Sequence, residues 1–234
     1  MTACAPLQHP RRARAPVLEL IGPAAAGKST LVKALRARAA TLRGPLAVWG
    51  LPRSRLIAHG VRLMPTFLRL ARDPRPPALA ELAHLVRLEA LQEAVERERP
   101  RSSGAILIDE GPVFALTWMD VFYPDRNGPR FAAWRSDTLA AWARTLDVVI
   151  SIDAPDPALL HRIRTRPKQH MVKDAPDDEV RAFTARFRTA FGRVLQDLRA
   201  HGGPEIVTLV TGNEPRERTV DRVLQAISEA ADGD

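Results

Sequence analysis

Short apolar runs alternate along the whole chain with longer stretches in which apolar positions recur every three or four residues. The short runs are Val17 to Ile21 (VLELI), Leu46 to Leu51 (LAVWGL), Ala105 to Glu110 (AILIDE), Asp147 to Asp153 (DVVISID) and Glu205 to Val210 (EIVTLV), and each is predicted as a strand. Leu31, Ala34, Leu35 and Leu42 predict a helix after the first strand, stopped at Gly44-Pro45. Ile57 to Leu70 and the long run Ala78 to Arg99 read as helices, separated by a loop at Asp73 to Pro77 (DPRPP), where proline forbids helix. Phe114, Trp118 and Phe122, at i, i+4 spacing, give the next helix an aromatic face. Pro124 to Pro129 marks a turn, and Phe131, Trp134, Leu139 and Trp142 an amphipathic helix up to Leu146. Asp156-Pro157 caps a helix through about Arg166, Pro167 to Pro176 is basic and irregular, and helices over Asp178 to Ala200 and Pro215 to Glu229 complete the chain.

Strands that alternate with helices in this way predict an α/β fold: a five-stranded, mostly parallel sheet with helices on both faces. There is no internal repeat and no composition break. One domain is therefore expected over residues 16–231, behind a Pro/Arg-rich tail, 1–15, expected to be disordered. The pair Arg11-Arg12 does not read as an export signal, because the apolar residues after it are the first strand.

Composition narrows the function classes. At 234 residues, 45% hydrophobic and 26% charged, the chain is of globular type, and no apolar run approaches the roughly 18 residues of a membrane helix. No membrane partner is expected. The single cysteine, Cys4, excludes an internal disulfide and fits a reducing, cytoplasmic setting. A net charge of +8 invites a polyanionic ligand, yet the cations are 31 arginines and four lysines scattered along the chain, except around Arg162 to Lys173. Nucleotides suffice as that ligand, and no nucleic-acid-binding motif is present. A homodimer is left open.

The candidate chemistry starts after the first strand. Gly22 to Ser29 (GPAAAGKS) has the spacing of a Walker A phosphate loop between a strand and a helix. Gly22 and Gly27 let the backbone amides of Ala24, Ala25 and Ala26 turn around phosphate oxygens, and the helix start at Lys28 adds its dipole. Lys28 is placed to reach the β and γ phosphates, Ser29 to ligate Mg²⁺, and Thr30 to extend the helix N-terminus. Asp109-Glu110 ends an apolar strand as a Walker B acid does, so Asp109 is a second Mg²⁺ ligand and Glu110 is free to take a proton or bind the acceptor. In LLHRIRTRPKQHMVK, Arg162 and Arg166 share a helix face and could stabilise the charge of a phosphoryl group in transfer; a solvated basic face is the plain alternative. Arg53 and Arg55 could meet an anionic acceptor. Phe114 and Trp118 could stack on it, although core packing is the simpler role for that aromatic face. The histidines show no metal-ligand spacing.

The order of these elements, with LIGPAAAGKST, ILIDEGP and LLHRIRTRP as they stand, resembles the thymidylate kinase and deoxynucleoside kinase branch of the P-loop kinases. The resemblance implies a three-layer P-loop NTPase fold with an Arg-rich lid at about 160–176, and ATP and Mg²⁺ as cofactors. It further implies lid roles for Arg162 and Arg166, with Thr211 and Asn213 beside the adenine. Two positions depart from the pattern: thymidylate kinases carry Arg where this chain has Glu110, and the second predicted strand ends in Trp49-Gly50 without the acid that deoxynucleoside kinases place there. The expected activity is transfer of the γ-phosphoryl group of ATP to a small acceptor, a nucleoside or nucleotide first among them. A sugar, antibiotic or other metabolite hydroxyl is an alternative acceptor, and a nucleotide-dependent regulatory or nucleic-acid-binding protein an alternative of another class.

Overall fold

The computed structural model describes residues 14–39, 41–102, 104–124, 128–211 and 215–232. The tail before residue 14, Asn213 and the centre of the 124–129 turn lie outside the described residues. Strands β1 (Val17–Ile21), β2 (Arg43–Leu46), β3 (Ile106–Asp109), β4 (Val148–Asp153) and β5 (Glu205–Val210) form one sheet in the order β2-β3-β1-β4-β5, with every pairing parallel. The helices are α1 (Lys28–Arg38), α2 (Arg53–Arg62), α3 (Met64–Leu70), α4 (Leu79–Glu98), α5 (Pro112–Phe122), α6 (Pro129–Ala143), α7 (Asp156–Thr165), α8 (Asp177–Ala200) and α9 (Arg216–Asp232).

The period of two along β1 divides the core. Val17 and Ile21 join Ile106, Ile108 and Val149 under α4, α5, α6 and α8, while Leu18 and Leu20 join Leu107, Val148 and Ile150 under α1 and α9. Parallel strands buried on both faces read as near-continuous apolar runs, which made β1, β3 and β4 legible, while β5, on the other edge and half exposed, was legible from its β-branched residues. The strand order reverses at β1, so the crevice beside its carboxyl end, where α1 begins, is where an open α/β sheet takes its ligand. Among the described residues no helix is long and apolar enough to cross a membrane.

Two boundaries differ from the sequence reading. The helix expected to run to Arg43 stops at Arg38, and Gly44-Pro45, expected to end it, lies inside β2 instead. β2 is an edge strand, half exposed, where proline's missing N–H costs no ladder bond, and it begins with the Arg43 amide donating to the Ala105 carbonyl (2.8 Å). Of the apolar run LAVWGL only Leu46 belongs to the strand; the rest is the turn that follows it, with Val48 buried. The single helix expected over 57–70 is two, α2 and α3, broken at Leu63, because Pro65 removes an amide and its ring crowds the preceding turn.

Candidate active site

β1 delivers Gly22 to the crevice at φ +145°, so close to β4 that a Cβ there would lie 2.0 Å from the Ile152 carbonyl oxygen. The chain then turns through Pro23, Ala24 and a left-handed Ala25 (φ +65°) to Gly27, the N-cap of α1. Alternating backbone hand of this kind points successive amides inward around an anion. The Ala26 methyl is fully buried in the α1/α9 core, so only its backbone can serve a ligand, and its amide bonds the Pro23 carbonyl at 3.3 Å. Ser29 and Thr30 are exposed on the first turn of α1.

Lys28 lies back across the loop, its Nζ donating to the carbonyls of Gly22 (2.6 Å) and Pro23 (3.2 Å). Burial pulls its pKa down, Asp109 and Glu110 push it back up, and Arg166 pulls it down again. Lys28 thus lies within electrostatic reach of three other residues singled out in the sequence, Asp109, Glu110 and Arg166. Burial raises the pKa of Asp109, against the Lys28 charge and a backbone hydrogen bond. Glu110 is raised by burial and then by Asp109, and is held down by Lys28 and Lys168. Ser29 and Asp109 line one cavity of about 390 Å³ with Val32, Lys33, Arg36 and Pro45. A hydroxyl and a carboxylate on a shared cavity fit Mg²⁺, which keeps much of its shell as water and phosphate oxygen. Among the described residues no three acidic, His or Cys side chains gather as a fuller cage.

The basic segment closes the other side. Arg162 on α7 donates from Nη1 to the Ala25 carbonyl (3.3 Å) and to the Thr211 hydroxyl (3.2 Å), and that hydroxyl in turn donates to the Ala26 carbonyl (2.9 Å). Arg166 stands just past the helix end in extended backbone, not on the α7 face as the spacing predicted, and still bears on Lys28 and His170. Arg164 turns away, binding the carbonyls of Lys173 and Ala175 and the Asp177 carboxylate (2.9 Å), while Lys173 donates to the Arg166 carbonyl (2.8 Å). Of the two lysines here, Lys173 ties the segment after α7 together and Lys168 lies within electrostatic reach of Glu110.

Residues the sequence reading missed complete the site. Arg188 on α8 grips both oxygens of Asp153 (2.8 and 3.1 Å), the Ala154 carbonyl and Asp156, bracing the start of α7 against the end of β4. The two acids were visible in the sequence, but their partner lies over 30 residues away. The Val48 amide donates to the Glu110 carbonyl (3.2 Å), which brings the turn after β2 beside the acidic pair. There the half-exposed Trp49 meets His84 edge-on (5.3 Å between centroids), with the Arg87 guanidinium 4.6 Å above its ring. Phe114 and Trp118 are half-buried; Trp118 packs on Phe122 (4.3 Å) and Phe187 (6.2 Å), so much of that aromatic face is core, as its simpler role required. Arg53 is exposed and Arg55 half-buried at the start of α2.

A parallel sheet of order 2-3-1-4-5 with a glycine-bounded loop between its central strand and α1 is the P-loop fold, here with an Arg-rich segment at the end of α7. The solved structures it matches include thymidylate kinase from Candida albicans, with TM-score 0.57 and 14% identity over 93% of this chain and 94% of that one. Deoxyadenosine kinase from M. mycoides matches with TM-score 0.53 and 11% identity over 91% and 99%. At such identities the likeness is one of fold. No family model matches the chain, and no curated protein matches it in sequence.

Proposed function

We propose that the protein is an ATP-dependent phosphotransferase that moves the γ-phosphoryl group of Mg-ATP to a small acceptor. The observation that carries this reading is the convergence of Lys28, Asp109, Glu110 and Arg166 on one phosphate loop, with Arg162 reaching over that loop from α7. Inward-turned amides and the start of α1 hold the β and γ phosphates. Lys28 exchanges the carbonyls of Gly22 and Pro23 for phosphate oxygens, and Arg162 and Arg166 offset the charge on the group in transfer while the lid excludes water. Ser29 and Asp109 would hold Mg²⁺, which would supply positive charge to offset that of the phosphates.

Transfer is in line: the acceptor oxygen forms its bond to the γ phosphorus as the bond from phosphorus to the leaving ADP oxygen breaks. Where the acceptor is a hydroxyl, its proton goes to Glu110, which stands beside Lys28 and the turn carrying Trp49. Where the acceptor is a phosphate, no base is needed and Glu110 orients it instead. An aromatic ring beneath an arginine, next to Glu110, favours a flat, ring-bearing acceptor such as a nucleoside or nucleotide. A screen of ADP release over nucleosides, nucleotides, sugars and aminoglycosides tests the reading. Stimulation by a ring-bearing acceptor supports it, stimulation by sugars or aminoglycosides alone moves the acceptor assignment, and acceptor-independent turnover throughout removes it.

A further inference from the structure

β1 carries one acid among apolar neighbours, Glu19, and it is fully buried. Its Oε2 accepts the Val113 amide (2.9 Å) and its Oε1 the Phe114 amide (3.0 Å). These amides open α5 and have no partner within the helix, whose N-cap, Gly111, offers no side chain. The fit is close: a Cβ on Gly111 would lie 2.7 Å from the Glu19 Cδ. The residue just before it, Glu110, sits at φ +60°, a left-handed conformation that a side-chain-bearing residue adopts only when its surroundings hold it there. β3 holds it from one side and the Glu19-bound amides from the other.

Among the described residues a distant carboxyl group caps a glycine-started helix once more. Asp73 accepts the amides of Phe131 (2.8 Å) and Arg130 (3.2 Å) at the start of α6, whose N-cap is Gly128. That cap comes from a loop after α3. The Glu19 cap comes from the strand that, three residues later, becomes the phosphate loop.

We propose that Glu19 is a positioning residue: by holding the amides of Val113 and Phe114 and packing against Gly111 it fixes the left-handed Glu110 and sets that carboxylate relative to the phosphate loop, both being anchored on β1. The geometry stands without the kinase reading; the catalytic consequence rests on it.

Glu19→Gln in the full chain tests this, since the amide side chain keeps the shape but accepts hydrogen bonds through only one of its two terminal atoms. The amide of Val48 bonds the Glu110 carbonyl and does not touch Glu19, so its hydrogen exchange reports where Glu110 is. In Glu19→Gln, exchange at Val48 accelerates at least tenfold together with Val113 and Phe114, whereas Asp73→Ala, which uncaps α6 instead, leaves Val48 unchanged. Acceleration confined to residues 113 and 114 overturns the proposal, leaving Glu19 a plain helix cap. In turnover, Glu19→Gln lowers kcat/KM for the acceptor about tenfold with the KM for ATP within twofold, and the effect disappears in a Glu110→Gln background; additive losses overturn the coupling. Absence of acceptor-dependent turnover in the wild type removes the kinase reading and leaves the Val48 exchange to decide this one. Should the Gln variant fail to fold, Glu19→Asp, which sets the carboxyl one methylene short, carries the same Val48 readout.

Discussion

Gly22 to Ser29 would hold a phosphate mainly through backbone amides within one stretch of eight residues, whereas an acceptor side would draw on side chains from four places. Trp49 follows β2, His84 and Arg87 lie on α4, Glu110 ends β3, and Phe114 and Trp118 belong to α5. A phosphate needs little more than converging N–H groups and a cation, so its site can be contiguous, and a short spacing announces it. An acceptor is recognised by shape and side-chain chemistry, so its site is assembled by the fold and has no fixed spacing. Donor-side substitutions should therefore strike turnover with every acceptor alike, and acceptor-side ones should discriminate between acceptors.

The largest effect is expected on the donor side. Lys28→Ala should reduce turnover by about 10³ or more, measured as ADP release with any active acceptor; a loss for one acceptor only would dissolve the distinction between the two halves. Arg166→Ala should lower kcat by about 10² with ATP affinity changed less than about threefold, because its charge is needed most when the phosphoryl group is in flight. Steady-state kinetics separate the two parameters, and a pure KM effect would move the lid function to another cation.

On the acceptor side, Trp49→Ala should raise the KM of a ring-bearing acceptor about tenfold while leaving that for ATP unchanged, the worth of one stacked, cation-covered ring. A ringless acceptor should not notice the change. The smallest effect concerns stability. Burial pushes the Glu19 carboxyl up to about 8, against the hydrogen bonds from Phe114 and Val113. A folded-state value above the ordinary 4.5 means the proton is held more tightly when folded. The contribution is complete below that ordinary value and is lost as pH rises through about 8. The stability lead of wild type over Glu19→Gln should therefore narrow from mildly acidic to mildly alkaline pH, by a few degrees in Tm. Parallel melting curves at all pH values would place an ionised carboxylate there instead.

The same contrast explains what the sequence disclosed. The phosphate loop, the Asp109-Glu110 strand end and the basic segment were legible, because each is a local pattern on a buried strand or a single stretch of chain. β2 was misplaced by a few residues: its own residues, RGPL, sit on a half-exposed edge and carry no apolar signal, while the apolar run beside it fills a turn. Glu19 reads as one stray acid in VLELI until the fold brings the amides at 113 and 114 to it. Arg188 likewise gains meaning only from Asp153 and Asp156 across the gap between α8 and β4. His84 and Arg87 sit three apart on α4, but no local spacing ties Trp49 to them.

The most direct test of the central claim follows the phosphoryl group itself. With ATP labelled in the γ position, Mg²⁺ and an acceptor that stimulates ADP release, the label should appear on the acceptor in one-to-one ratio with ADP, and Lys28→Ala should abolish its appearance. Label released only as inorganic phosphate, or transfer undiminished in the Lys28 variant, would contradict the assignment of this site as a phosphotransferase centre.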